Sequence, residues 1–296
     1  MKSPLYLCGT TASGKSHCAL GLAEALDGEI VNADAFQIYR GLEVLAAAPS
    51  PSELNQTTHH LYRTLSLEES CDAARYESLA TPVIREIQER GKLPIIVGGS
   101  GLYLKFLTHG VSPAPPADPE IRAKLDQLSV EEIIFQLRKL DPEEAAKQTR
   151  QNQQNHRHLS RALEICLITG GKASDLRKNF ASSALTEQLN GIVLTWPADE
   201  LSKRIELRTA QMLQNGAIEE VKGLPKNAAT VRQAIGVREI ESYLDGAISQ
   251  AECLEKIATS TRQYAKRQRN WFRRENWLKP VSPKSDLSEI ISTIQS

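Results

Sequence analysis

The chain has 296 residues, 41% of them hydrophobic, with 36 basic and 36 acidic side chains and a formal net charge of zero. That length holds one large or two modest domains with ample core, and the neutral balance means that any nucleic-acid surface must come from local clustering. Five scattered cysteines with no C-x-x-C exclude a disulfide scaffold, and the absence of any apolar run near ~18 residues excludes a membrane-spanning helix, so the expectation is a cytoplasmic protein with reduced, buried thiols.

Taken in order, the first predicted element is a strand over Leu5–Cys8. It is followed by Gly9-Thr10-Thr11-Ala12-Ser13-Gly14-Lys15-Ser16 and then a helix over Lys15–Leu26 with Ala19, Leu22, Ala23 and Leu26 on one face. This is the pattern G-x-x-x-x-G-K-[ST] in the strand–loop–helix setting it requires, a cradle for phosphate or diphosphate. The backbone amides and helix start attract an anion, Lys15 adds a full positive charge, and the Ser16 hydroxyl is placed to reach a magnesium ion. Gly28 is expected to cap the helix. A short β-branched strand, Ile30-Val31-Asn32-Ala33, then ends on Asp34. Ligands collect at the carboxyl ends of parallel strands, so Asp34 reads either as a site carboxylate or as a helix N-cap.

Residues 35–58 read as loop and short helix, and His59-His60, without a metal-spaced partner, as a structural pair. Residues 72–90 are helical by period and end at Arg90-Gly91. The strand Leu93–Val97 runs into Gly98-Gly99-Ser100-Gly101. It ends in glycines, whereas many ATP-hydrolysing relatives of this loop have a magnesium-holding aspartate after a core strand. Ser-Pro-Ala-Pro-Pro-Ala-Asp-Pro over 112–119 reads as a stiff linker. From there to about 176 every pattern is helical. A strand over 191–197 precedes a helix over 201–213 that carries Arg204 and Arg208 on one face, either a solvated pair or a diphosphate clamp. Ser249-x-x-Glu252 is a capping box opening the last long helix. In that helix Arg262, Lys266, Arg269 and Arg273 form one stripe, with Tyr264, Trp271, Phe272 and Trp277 interleaved, a pattern that suits backbone phosphates. The expected architecture is α/β: a P-loop NTPase-like parallel sheet flanked by helices, built from 1–113 and 190–296, with a small all-helical insertion domain over 114–189.

Several stretches together resemble the tRNA dimethylallyltransferase, or tRNA isopentenyltransferase, family. They are Thr11-Ala-Ser-Gly-Lys-Ser16, Ile30-Val-Asn-Ala-Asp34, Gln37-Ile-Tyr-Arg-Gly41, His59-His-Leu61 and Arg90-Gly-Lys-x-Pro94. They continue with Val97-Gly-Gly-Ser-Gly-Leu-Tyr103, Arg161-Ala-Leu-Glu164, Ala234-Ile-Gly236 and Thr261-Arg-Gln-Tyr-Ala-Lys-Arg-Gln268. The resemblance spans nearly the whole chain. It implies transfer of a dimethylallyl group from dimethylallyl diphosphate to N6 of the adenine 3′ of the anticodon in tRNA, by a monomer with Mg²⁺ as cofactor and no membrane partner. It also implies a channel that admits the flipped adenine from one end and the prenyl diphosphate from the other.

By resemblance Asp34 is the general base, and Lys15, Arg208 and Ser100 complete the catalytic set. Gly9 to Ser16 hold the diphosphate, with Ser16 toward the metal. Contacts to tRNA fall on Asp34, Ala35, Phe36, Gln37, Ser100, Arg122, Gln154, Arg157, Arg161, Gln233 and Arg238, with Arg262, Lys266 and Arg269 on its backbone. The chain departs from the family pattern in four places. Ser100 replaces a threonine, and Ala35-Phe36 replaces a serine and a variable residue. Val44-Leu-Ala-Ala-Ala-Pro49 replaces a stretch with a hydroxyl and a polar or basic side chain, and Val237 replaces an aromatic. Three competing readings share parts of this pattern: a P-loop kinase of a nucleotide or small metabolite, an isopentenyltransferase of free adenine nucleotides, and a non-catalytic RNA-binding protein.

Overall fold

The computed structural model describes residues 2–151, 155–182 and 189–295. They form two compact units, residues 1–108 with 185–296 and residues 109–184. The first unit is a six-stranded, all-parallel sheet in the order β3-β2-β4-β1-β5-β6, made of β1 (Leu5–Gly9), β2 (Gly28–Ala33), β3 (His59–His60), β4 (Leu93–Gly98), β5 (Asn190–Leu194) and β6 (Leu278–Val281). The fold is a P-loop NTPase-like parallel sheet flanked by helices.

Both faces of the sheet are buried, as expected of parallel strands with helical crossovers. Side chains alternate between faces. Leu5, Leu7, Ile30, Ile95, Val97, Ile192 and Leu194 therefore pack with α1 (Lys15–Leu26) and the C-terminal Ile290 and Ile294. Tyr6, Cys8, Val31, Ile96 and Val193 point the other way. They share a core with Tyr76 and Ile87 of α3 (Ala73–Glu89), which follows the short α2 (Pro51–Leu54), and with Tyr103 and Leu104 of α4 (Gly101–His109).

In the second unit α5 (Pro119–Leu125), α6 (Val130–Leu140), α7 (Pro142–Gln151), α8 (His156–Thr169) and α9 (Ala173–Ser182) surround Ile133, Leu137, Leu159 and Leu163. Asp118 caps α5 by accepting from the amides of Glu120 and Ile121, and Ser129 opens α6 with a capping box. Two buried carboxylates knit this unit together. Asp141 accepts from the amides of Glu144 and Ser174 and from the Ser174 hydroxyl. Burial pushes the Glu164 pKa up, but Arg161, the Asp118 amide and Arg122 outweigh it and hold the group ionised.

The first unit resumes with β5 and α10 (Ala198–Gln214), α11 (Ala217–Lys222), α12 (Val237–Leu244), the 23-residue α13 (Gln250–Phe272), β6 and α14 (Leu287–Gln295). Two expectations need correcting, on Gly28 and on the aromatics of α13, and two strands were not foreseen. Asp27, at φ 51°, is the left-handed cap of α1. Gly28 instead starts β2, where a Cβ would meet Ile95 Cδ1 at 2.7 Å. Beyond α13, β6 adds an edge strand, and an edge tolerates Pro280. His59-His60, the expected structural pair, forms the opposite edge strand, which short length had hidden. The aromatics near the end of α13 face inward. Phe272 is buried, a Cβ on Gly101 would strike the Trp271 ring, and Trp277 meets Tyr6 edge-on at 5.2 Å. The helix needs those rings to bury its apolar face against the sheet.

The candidate active site

The carboxyl ends of β1, β2 and β4 open onto one cavity of about 390 Å³. Ala12 to Ser16 line it from the β1–α1 loop, and Asp34 from the end of β2. Gln37, Ala47 and Tyr62 come from the following loops, Glu53 from α2, Val97 and Gly98 from β4, and Arg204, Leu207, Arg208 and Gln211 from α10. The loop takes its shape from two left-handed residues, Ala12 at φ 61° and Gly14 at φ 93°. No side chain caps α1. Its first-turn amides have no intrahelical acceptor and are available to an anion.

Charge is concentrated here. Lys15 Nζ donates to Gly9 O at 3.1 Å and to Thr10 O at 2.7 Å. Burial lowers its pKa to about 8, and the Asp34 carboxylate pulls the other way. Arg208 Nη1 donates to Thr11 Oγ1 at 2.9 Å. Burial lowers its pKa too, again opposed by Asp34. Arg204 Nε donates to Ala12 O at 2.8 Å and its guanidinium lies over the Trp196 ring. Both arginines of α10 therefore reach the loop, Arg204 from an exposed position.

Asp34 is both a turn residue and a cavity residue. Its Oδ1 accepts from Phe36 N at 3.0 Å, and its backbone amide donates to Asn32 Oδ1 at 2.8 Å. Asn32 in turn donates to Asp34 O and Leu61 O. The strand end is thus fastened on both sides and the carboxylate is aimed by its own backbone. β4 lies between β2 and β1, and at Gly98 a Cβ would collide with Ala33 O. The glycine ending that looked like a missing aspartate is what lets β2 and β4 close together at the site.

The other predicted residues are placed as follows. Ser100 does not line the cavity; its Oγ accepts from Ala35 N at 3.0 Å, and Phe36 packs on the core. Gln37 lines the cavity while its Nε2 donates to Ala46 O and Ala47 O at 3.1 Å each. Glu220 accepts from the amides of Val44 and Leu45 at 2.7 and 2.8 Å. The segment in which the chain departs most from the family pattern is therefore held through its backbone, which the substituted side chains leave untouched. Val237 is fully buried in the core. Arg122 and Arg161 both bond Glu164, Arg157 is exposed on α8, and Gln154 lies outside the described residues. Gln233 and Arg238 are exposed at and just after a 3-10 turn over Val231–Gln233. On α13, Arg262 pairs with Glu206, Lys266 is exposed, and Arg269 Nε is buried without a hydrogen-bond partner among the described residues.

Some residues of the site were not foreseen. Gln268 and Trp196 hold the loop from behind, through Thr11 N and Ser13 O. Tyr62 and Glu53 also line the cavity, Glu53 from the stretch read as loop and short helix. Gln268 stood inside a recognised motif, but nothing in its neighbours shows that it turns inward.

A divalent metal fits the donors present. The Ser16 hydroxyl and the Asp34 and Glu53 carboxylates are hard oxygen ligands in one cavity, and magnesium is commonly held by one or two such groups plus substrate phosphate. No group of three His, Cys, Asp or Glu side chains gathers into a metal cage among the described residues. No helix among them is long and apolar enough to cross a membrane.

The IPP transferase family profile matches residues 37–275. The chain is 42% identical over 281 residues to the tRNA dimethylallyltransferase of Akkermansia muciniphila, covering 94% of each sequence. It is 38% identical over 294 residues to that of Geobacter sulfurreducens, covering 97% of this chain and 93% of the relative. Among solved structures it superposes on the tRNA isopentenylpyrophosphate transferase of Bacillus halodurans with a TM-score of 0.70 at 31% identity, covering 100% of this chain and 97% of that one. A eukaryotic dimethylallyltransferase acting on tRNA superposes with a TM-score of 0.81 at 26% identity, covering 100% of this chain and 77% of that one. With its P-loop, its strand-end carboxylate and a match that runs almost end to end, the chain belongs to the IPP transferase family.

Proposed function

We propose that this tRNA dimethylallyltransferase moves the dimethylallyl group of dimethylallyl diphosphate onto N6 of the adenine 3′ of the anticodon, with Asp34 as general base. The observation that carries the reading is one cavity with Asp34 on one wall and Lys15 and Arg208 on another. An exocyclic amine is a weak nucleophile because its lone pair is delocalised into the ring. As the N6–C1 bond forms, Asp34 accepts the N6 proton, a contribution of roughly 10²–10⁴-fold. The C1–O bond breaks, and its electron pair leaves with diphosphate. Lys15, Arg208 and the first-turn amides of α1 face that developing charge, and stabilisation of this kind tends to be the largest catalytic term. Mg²⁺ held by Ser16 would add further charge neutralisation on the leaving group. Tyr62 and Leu207 supply apolar wall for the five-carbon chain.

The tRNA strand is gripped by the exposed basic residues of α13 and by the helical residues 109–184, around Arg157 and Arg161. Ser100 holds the turn that carries Asp34 and acts one step removed from the reacting atoms. The enzyme acts on its own as a monomer in the cytoplasm, where unmodified tRNA is found. A P-loop kinase would share the loop but would leave the exposed basic residues of α13 without a role.

The test is incubation with dimethylallyl diphosphate and unmodified tRNA, followed by mass analysis of the nucleosides. Adenosine carrying one added C5 unit is expected. Consumption of ATP with unchanged adenosine would refute the reading.

A further inference from the structure

Ala12 is a non-glycine residue held at φ 61°, a conformation that persists only when its surroundings over-determine it. Three side chains distant in sequence supply that restraint. Gln268 Oε1 accepts from Thr11 N at 2.8 Å, Arg204 Nε donates to Ala12 O at 2.8 Å, and Trp196 Nε1 donates to Ser13 O at 2.9 Å. Arg204 is exposed, whereas Gln268 is only 5% exposed, and its Nε2 donates to Gly99 O at 2.9 Å. A Cβ on Gly99 would collide with that nitrogen.

One buried amide group therefore spans two loops, accepting from the P-loop and donating to the turn that leads to Ser100. The chemistry is particular to an amide. A carboxylate cannot donate to Gly99 O, an ammonium cannot accept from Thr11 N, and the two partners leave only one orientation of the side chain. Ser100 in turn accepts from Ala35 N, next to Asp34. The carboxylate and the anion cradle are thus linked through α13.

We propose that Gln268 is a positioning residue that sets the P-loop in its diphosphate-binding shape by holding the Thr10–Thr11 peptide group, one residue ahead of Ala12. This rests on the reading of residues 9–16 as a diphosphate cradle. Gln268 does not touch the substrate. It holds the Thr11 N–H away from the cavity, while Arg204 and Trp196 fix the carbonyls of Ala12 and Ser13, so the loop binds without paying to order itself.

The full chain is titrated calorimetrically with inorganic diphosphate in magnesium buffer, as wild type, Lys15→Ala and Gln268→Met, and tRNA affinity is measured in parallel by filter binding. Gln268→Met keeps the side-chain length and loses both bonds. It is expected to bind diphosphate about fivefold or more weakly, the worth of one hydrogen bond, with tRNA affinity within about twofold. The KM for dimethylallyl diphosphate should rise by the same factor while the KM for tRNA stays. Unchanged diphosphate binding overturns the proposal, and so does a proportional loss of both ligands, which marks a mere prop of the fold. Should Gln268→Met not fold, Gln268→Asn, which retracts the amide by one methylene, is read by the same criterion; loss of fold in both overturns it too. If wild type itself binds no diphosphate, or Lys15→Ala binds as well as wild type, the cradle reading fails first.

Discussion

Asp34 divides its carboxylate between two tasks. Oδ1 accepts from Phe36 N and fixes the direction of the side chain, while Oδ2 makes no hydrogen bond among the described residues. Asparagine can still accept from Phe36 N but takes no proton. Asp34→Asn should therefore fold normally and bind tRNA unchanged, with its single-turnover rate down by about 10²–10⁴-fold. A loss under tenfold in rapid-quench assays would remove Asp34 from the base role. Lys15 has a readable titration. Its pKa is lowered to about 8, so the free enzyme loses this charge as pH rises through that value. A phosphate group with a second pKa near ~6 is already ionised there. Affinity for dimethylallyl diphosphate should then be flat between pH ~7 and pH ~8 and weaken above it. Lys15→Arg, charged throughout, should abolish the bend. A wild-type profile that stays flat to pH ~9.5 would contradict it.

At the level of elements, β2 carries the site and is anchored by a buried carboxylate. Glu29 accepts from His60 Nε2 and Arg90 Nη2, each at 2.7 Å. Burial pushes its pKa up, but these hydrogen bonds outweigh it and hold the pKa below the ordinary value. A lowered carboxylate pKa adds stability above the usual glutamate range and loses it as pH falls through the lowered value. Glu29→Gln should cost about 1–3 kcal/mol at neutral pH, read as a lower urea midpoint, and should flatten the acid limb of the stability profile. An unchanged midpoint would mean that the ion pair adds nothing. His59-His60, the structural pair of the sequence reading, owes its place to this carboxylate. Gly98 answers a different need, since β2 and β4 approach too closely there for any side chain.

Over the whole molecule the charge is neutral but unevenly spread. Lys266, Arg267, Arg273 and Arg274 are exposed on and just beyond the last turns of α13, while Arg262 is paired with Glu206. Each phosphate contact contributes about 0.7–0.9 to the salt slope of nucleic-acid binding. Replacing Lys266 and Arg273 together by alanine should lower the slope of log affinity against log salt by about 1.5 and leave diphosphate affinity alone. An unaltered slope would move the tRNA backbone off this helix. The interleaved aromatics add nothing to that surface, because Trp271, Phe272 and Trp277 are spent on the core.

Whatever depended on near neighbours was legible in the chain itself. An eight-residue string specifies an anion loop, buried β-branched runs specify parallel strands, and Asp118, Ser129 and Ser249 specify helix starts, because each is decided within a turn or two of backbone. The carboxylate at the end of β2 was legible too, although its choice between a site and a helix N-cap was not; no helix follows it, and it lines the cavity while bracing a turn through Phe36 N. Tertiary structure alone decided which side chains reach the loop from afar. Gln268 lies 257 residues from Thr11 and Trp196 lies 183 from Ser13. It also decided that Arg122 and Arg161 serve Glu164, and that a proline-bearing tetrapeptide completes the sheet as β6. Such partners are selected by packing: a face of α13 has to bury its apolar rings against the sheet, and the amide beside them is carried to the one place where both its bonds can be made.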